Sequence, residues 1–138
     1  MLLRRLHMNT IINILAIDDE NTVQSVIAAF LNRYLDEKNL VGNIKTLNDP
    51  VQGLFELSTN GDHYQIILLD VHMPELSGDE IYSKILQTNP ALLHRVMFIT
   101  GYAEDLKHRF PQRVLNILEK PFRYQTFCDK IDQLLEQQ

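Results

Sequence analysis

The 138-residue chain has one cysteine, no tryptophan, five glycines and five prolines. With Cys128 alone no intramolecular disulfide can form, which suits a reducing compartment, and the cytoplasm is the expected location. No apolar run approaches the roughly 18 residues of a membrane span, so no membrane partner is expected. Basic residues form no tract and the net charge is −5, which argues against nucleic acid as a partner. Repeats, low-complexity segments and linkers are also missing. The length falls within the common size of one domain, roughly 100–150 residues, and a single core can hold it together without metal or disulfide staples.

The N-terminal stretch carries Leu2, Leu3, Arg4, Arg5 and Leu6 but no long apolar core and no small-residue cleavage site, so it does not read as a signal peptide. Residues 1–10 are expected to be a disordered extension, and residues 11–138 one domain.

Five short runs rich in β-branched and large aliphatic residues predict strands at Ile11–Ile17, Asn43–Leu47, Gln65–Leu69, Arg95–Thr100 and Val114–Leu118. Helical spacing separates them. Val23, Val26, Ile27, Phe30, Leu31 and Tyr34 fall on one helical face, as do Tyr124, Phe127, Cys128, Ile131, Leu134 and Leu135 at the end of the chain. Weaker helical patterns cover Pro50–Thr59, Gly78–Thr88 and Ala103–Arg109. Alternating strands and helices imply an α/β fold with parallel pairing, and runs such as Ile66–Leu69 suit strands covered on both faces. The expected architecture is a flavodoxin-like, doubly wound five-stranded sheet of order 2-1-3-4-5 with helices on both faces, its site lying beyond the carboxyl ends of the strands.

Polar residues occupy those ends. Asp18 and Asp19 follow the first strand, Asp70 the third, Thr100 closes the fourth and Lys120 follows the fifth. Adjacent first and third strands bring three carboxylates together, and their repulsion is relieved by raised pKa values or by a cation. Hard oxygen donors suit Mg²⁺. Taken singly, each residue has a plainer reading: Asp18 and Asp19 as helix caps, Asp70 as a turn residue, Thr100 as a strand end and Lys120 as a solvated lysine. Separate turn chemistry does not predict that all five meet at one sheet edge.

Four segments then carry a resemblance: Ile14–Glu20 with its Asp18-Asp19 pair, Ile66–Pro74 with Gly78 beyond it, Phe98–Gly101, and Lys120-Pro121-Phe122. In order and spacing the chain resembles the receiver domain of two-component response regulators, in the small form similar to the chemotaxis regulator, over roughly residues 11–137. The resemblance implies that Asp70 accepts a phosphoryl group from a sensor histidine kinase or histidine phosphotransfer protein. It implies Mg²⁺ ligands at Asp19, Asp70 and the backbone carbonyl of His72, with Asp18 acting through water. It further implies phosphoryl contacts from Lys120 and Thr100, and a cis Lys120–Pro121 bond. His72 and Tyr102, two residues beyond Asp70 and Thr100, are expected to hinder water attack and slow dephosphorylation.

Two departures alter the expected switch. Ile117 stands where the family usually has an aromatic residue, so rotation of a ring toward Thr100 is not available. Phe110-Pro111 stands in a segment that lacks the usual Gly-Ala turn, and a short or displaced fourth helix is expected. The other histidines, His7, His63, His94 and His108, show no metal-ligand spacing and read as surface residues.

The leading expectation is a stand-alone phosphoacceptor, not a turnover enzyme, that signals to a downstream protein or through a homodimer. The alternatives are a phosphorylation-independent interaction module with a relic pocket, a phosphate store in a phosphorelay, and a magnesium-dependent aspartate phosphatase. The last usually places a second acid where this chain has His72.

Overall fold

The computed structural model describes residues 10–138. Its five strands are β1 (Ile11–Ile17), β2 (Val41–Leu47), β3 (Ile66–Asp70), β4 (Val96–Thr100) and β5 (Ile117–Glu119). All pair in parallel, as the alternation of strand and helix patterns implies, and in the expected order β2-β1-β3-β4-β5. The helices are α1 (Asn21–Glu37), α2 (Pro50–Asn60), α3 (Gly78–Thr88), α4 (Ala103–Arg109) and α5 (Tyr124–Glu136).

Side chains alternate across the strands and feed two cores. Ile12, Ile14 and Ala16 of β1 pack with Ile27, Leu31 and Tyr34 of α1 and with Phe127 and Ile131 of α5. Leu15 and Ile17 face the opposite side, with Leu57 of α2, Ile81 and Ile85 of α3, and Leu106 of α4. Each fully buried aliphatic side chain contributes about 1.5–3 kcal/mol, so both layers hold the strand ends in place. β3 and β4 are buried along their whole length, up to Asp70 and Thr100 at their carboxyl ends.

Local chemistry starts the helices near the site. Asp49 caps α2 through the amide of Val51 at 2.8 Å, with Pro50 in the first turn. Ser77 and Glu80 form a reciprocal capping box on α3. Gly78 opens α3 because nothing larger fits: a Cβ there would lie 2.0 Å from the Asp70 carbonyl oxygen. Its amide donates to Val71 O at 2.9 Å and binds the start of α3 to the end of β3.

Several boundaries differ from the sequence expectation. β5 spans Ile117–Glu119 rather than Val114–Leu118. The ladder to β4 begins where Phe98 N donates to Asn116 O, and Val114 is 95 % exposed outside it. β2 starts at Val41 instead of Asn43, while β3 and β4 begin one residue later than expected, at Ile66 and Val96. Val26 belongs to the solvent side of α1, and its place in the buried stripe is taken by Gln24. Short 3₁₀ turns at Gly61–His63 and Pro90–Arg95 have no counterpart in the sequence reading. Helix α4 is seven residues long, as expected, and Phe110 follows it. The expected disorder of the first residues and the surface reading of His7 fall outside the described residues; His63, His94 and His108 are exposed.

Candidate functional site

The strand register assembles the site. Ile17 pairs with Leu69, which sets Asp18 beside Asp70 just past the end of the pairing, and Asp70 is itself the last residue of β3 opposite Ile99. Thr100 pairs with Glu119, and Lys120 N donates to Thr100 O at 2.9 Å, which brings the lysine to the same edge. All five polar residues predicted for this edge are found on it. The Lys120–Pro121 peptide bond is cis, as the resemblance implied.

Asp18, Asp19 and Asp70 each offer a carboxylate oxygen within 4.8 Å of the others. Asp18 and Asp70 are buried and Asp19 is half-buried. Burial is the largest cause of the raised pKa of Asp18, which reaches about 6, with the Asp70 charge adding to it. The Asp70 carboxyl is also raised by burial, against the opposing pull of Lys120. Lys120 Nζ lies 3.3 Å from Asp70 Oδ1 and 3.7 Å from Asp18 Oδ2, so one cation faces two buried acids.

Helix capping does not explain the aspartates. Glu20 occupies the N-cap of α1 and makes no side-chain cap bond, whereas Asp18 Oδ1 accepts the Glu20 amide at 2.9 Å and tightens the turn after β1. Asp18 Oδ2, Asp19 Oδ1 and Asp70 Oδ2 are buried without a hydrogen-bond partner. Buried polar atoms are almost always satisfied, so a buried, unsatisfied oxygen on each of three clustered aspartates makes this edge a ready cation cradle. Their hardness, charge and number fit Mg²⁺.

The remaining side chains frame this cradle. Thr100 is buried, and its hydroxyl accepts the Tyr102 amide at 2.9 Å, keeping its own proton available to donate. His72 and Tyr102 are both exposed and their rings touch. Ile117 sits half-buried with Phe98 and Leu106 in the core layer on the α4 side, and supplies no ring or hydroxyl near Thr100. Gln24 is a site neighbour that sequence reasoning missed. It lies in the buried stripe of α1, three residues before Ile27 and seven before Leu31, and that spacing was the available signal.

Among the described residues no helix is long and apolar enough to cross a membrane. The family model of the response regulator receiver domain matches residues 14–132. An uncharacterized response regulatory protein of Vibrio cholerae is 26 % identical over 123 residues, covering 89 % of this chain and 48 % of the relative. The chain thus spans about half the length of that relative. A response regulator receiver domain protein from Clostridium thermocellum superimposes with a TM-score of 0.74 at 24 % identity, covering 91 % of this chain and 94 % of the other. The receiver domain of a Pseudomonas aeruginosa sensor histidine kinase, solved with magnesium in its active-site cleft, gives 0.74 at 19 % identity, covering 92 % and 99 %. These two likenesses show the fold; the family match, together with the acid pair, the third aspartate, the threonine and the lysine at their expected strand ends, shows that this chain belongs to the response regulator receiver domains.

Proposed function

We propose that Asp70 is the phosphoacceptor of this chain and that Asp18, Asp19, Asp70 and the His72 backbone carbonyl hold Mg²⁺ beside it. The observation that carries this reading is the set of three orphaned, buried carboxylate oxygens on Asp18, Asp19 and Asp70. Phosphorylation on aspartate and Mg²⁺ binding are general properties of receiver domains, which pair with histidine kinases or phosphotransfer proteins. A histidine kinase or histidine phosphotransfer protein is accordingly the proposed donor.

The transfer is a displacement at phosphorus. A carboxylate oxygen of Asp70 forms the new P–O bond as the P–N bond of a donor phosphohistidine breaks, and the leaving imidazole nitrogen retains the electron pair and takes up a proton. The product is an acyl phosphate. Bound Mg²⁺ supplies neutralising charge to the phosphoryl oxygens. Lys120, already held at Asp70, offers its ammonium to a phosphoryl oxygen, and Thr100 donates its hydroxyl proton to another. Such fixed donors act where charge is carried through the transfer, and they need little reorganisation to do so.

The chain acts here as a stoichiometric acceptor rather than a turnover enzyme, with altered contacts to a downstream protein or a second copy of the chain as its output. An intact, unsatisfied pocket favours this reading over that of a relic. The test is incubation with acetyl phosphate or phosphoramidate, with and without Mg²⁺, followed by intact-mass measurement. One base-labile phosphoryl group that requires Mg²⁺ is expected, and its absence with both donors contradicts the reading.

A further inference from the structure

Apart from aromatic side chains, four buried polar or charged residues occur among the described residues: Asp18, Asp70, Thr100 and Gln24. The first three belong to the site. Gln24, on the first turns of α1, is 8 % exposed and reaches back beneath the acidic turn. Its Nε2 lies 3.2 Å from Ala16 O, 3.1 Å from Asp18 O and 3.0 Å from Leu47 O. Three carbonyls around one nitrogen fix the orientation of the amide, since an oxygen there would face only acceptors. Its Oε1 is left buried and without a partner, the fourth such atom beside those of the three aspartates.

These contacts join the end of β1, the first residue of the acidic turn and the end of β2. Asp18 is consequently held at three points: its amide donates to Leu47 O at 3.1 Å, its carbonyl accepts from Gln24, and its Oδ1 accepts from Glu20 N. Without a bound metal ion, Lys120 alone faces three clustered carboxylates, and their remaining repulsion would push the β1–α1 turn away from Asp70. A clamp on the backbone of that turn opposes the push. We propose that Gln24 is a positioning residue for the cation site, its amide holding the β1–α1 turn where Asp18 and Asp19 face Asp70 before a cation arrives. The inference rests on the reading of the three aspartates as a Mg²⁺ site.

The test is NMR titration of Mg²⁺ into wild type and Gln24→Met, with amide exchange at Asp19 and Glu20 measured on the metal-free proteins. Methionine keeps the length and apolar stem of Gln24 and removes the donors. The expected result is faster exchange at Asp19 and Glu20 and a Mg²⁺ dissociation constant raised about tenfold, the size typical when a partner that orients metal ligands is removed. Phosphorylation by acetyl phosphate should be slow at low Mg²⁺ and recover toward the wild-type rate at saturating Mg²⁺, whereas general loss of packing would slow it at both. Adding Asp70→Asn relieves the repulsion and should shrink the effect of Gln24→Met on exchange. Gln24→Asn, one methylene too short to span the three carbonyls, gives the same comparison and the same expected direction if Gln24→Met does not fold. Wild-type Mg²⁺ binding with unchanged affinity and exchange in the folded variant overturns the positioning role and leaves the cation site standing. A wild type that binds no Mg²⁺ overturns both.

Discussion

The imidazole of His72 and the phenol ring of Tyr102 meet at 4.1 Å between centroids, inclined by 64°, from the loops that follow Asp70 and Thr100. The contact joins the segment after the proposed phosphoacceptor to the segment after Thr100, the proposed phosphoryl-binding threonine. Two bulky rings at these positions are expected to narrow the approach of water to a phosphoryl group on Asp70. Tyr102→Ala should speed decay of the phosphorylated protein severalfold with little change in folding, because Tyr102 is 55 % exposed. Decay of the acyl phosphate, followed by intact mass, checks this; an unchanged rate removes the steric role.

Thr100 is poised between two partners. Its hydroxyl now accepts the Tyr102 amide, and a phosphoryl group on Asp70 would compete for its position. With Ile117 in place of an aromatic ring, movement of the Gly101–Ala103 loop and α4 is the proposed route for a signal. Thr100→Ala should leave Asp70 competent while weakening the coupling, because a phosphoryl group biases the equilibrium only through contacts that differ between the states. Amide exchange over residues 101–118 and sedimentation, with and without beryllofluoride, read this out. Wild type should respond, and the variant should respond less.

Helix α4 is tied at its far end to the first turn of α3. Arg109 Nη1 lies 2.5 Å from Asp79 Oδ2, Arg113 Nε donates to the Tyr82 hydroxyl at 2.7 Å, and Phe110 packs on the Tyr82 ring. Because Asp79 follows Gly78, this tether lies one residue from the segment locked to Val71. Arg109→Ala should cost about 0.2–1 kcal/mol, as expected for a partly exposed pair, and should speed amide exchange in α4 selectively. Urea unfolding and exchange together check both outcomes.

The pH dependence away from the site has a definite sign. Glu56 accepts from the Tyr64 hydroxyl and pairs with Lys45, and the tyrosine bond is the leading cause that lowers its pKa below the ordinary 4.5. A depressed carboxyl pKa stabilises the fold above its unfolded value, and that stability is lost as pH falls through the folded value. Tyr64→Phe should raise the Glu56 pKa toward 4.5 and shrink the acid-side loss. Carboxyl NMR titration of Glu56 measures the shift directly.

Much of this arrangement was legible because strands covered on both faces are nearly continuous apolar runs. The point at which each run stops, at Asp18, Asp70 and Thr100, marks the carboxyl edge. β5 was the exception, since Val114 and Leu115 satisfy the strand pattern but precede the ladder, in a segment held instead by the Arg113–Tyr82 bond. Composition does not reveal such a tertiary tether. Gln24 was hidden differently: a glutamine near the start of an amphipathic helix reads as solvated even at stripe spacing to Ile27 and Leu31, and the carbonyls at the ends of β1 and β2 are the partners that make its burial tolerable. Val26 reads as inward for the complementary reason, since its hydrophobicity masks the phase of the stripe.

The most direct measurement is localisation of the phosphoryl group. The protein is phosphorylated with acetyl phosphate and Mg²⁺, reduced with borohydride to convert an acyl phosphate to homoserine, and its peptides are then sequenced by mass spectrometry. Homoserine is expected at position 70, none elsewhere, and none in Asp70→Asn or without Mg²⁺. Label at another residue, or label that persists in Asp70→Asn, would contradict Asp70 as the phosphoacceptor.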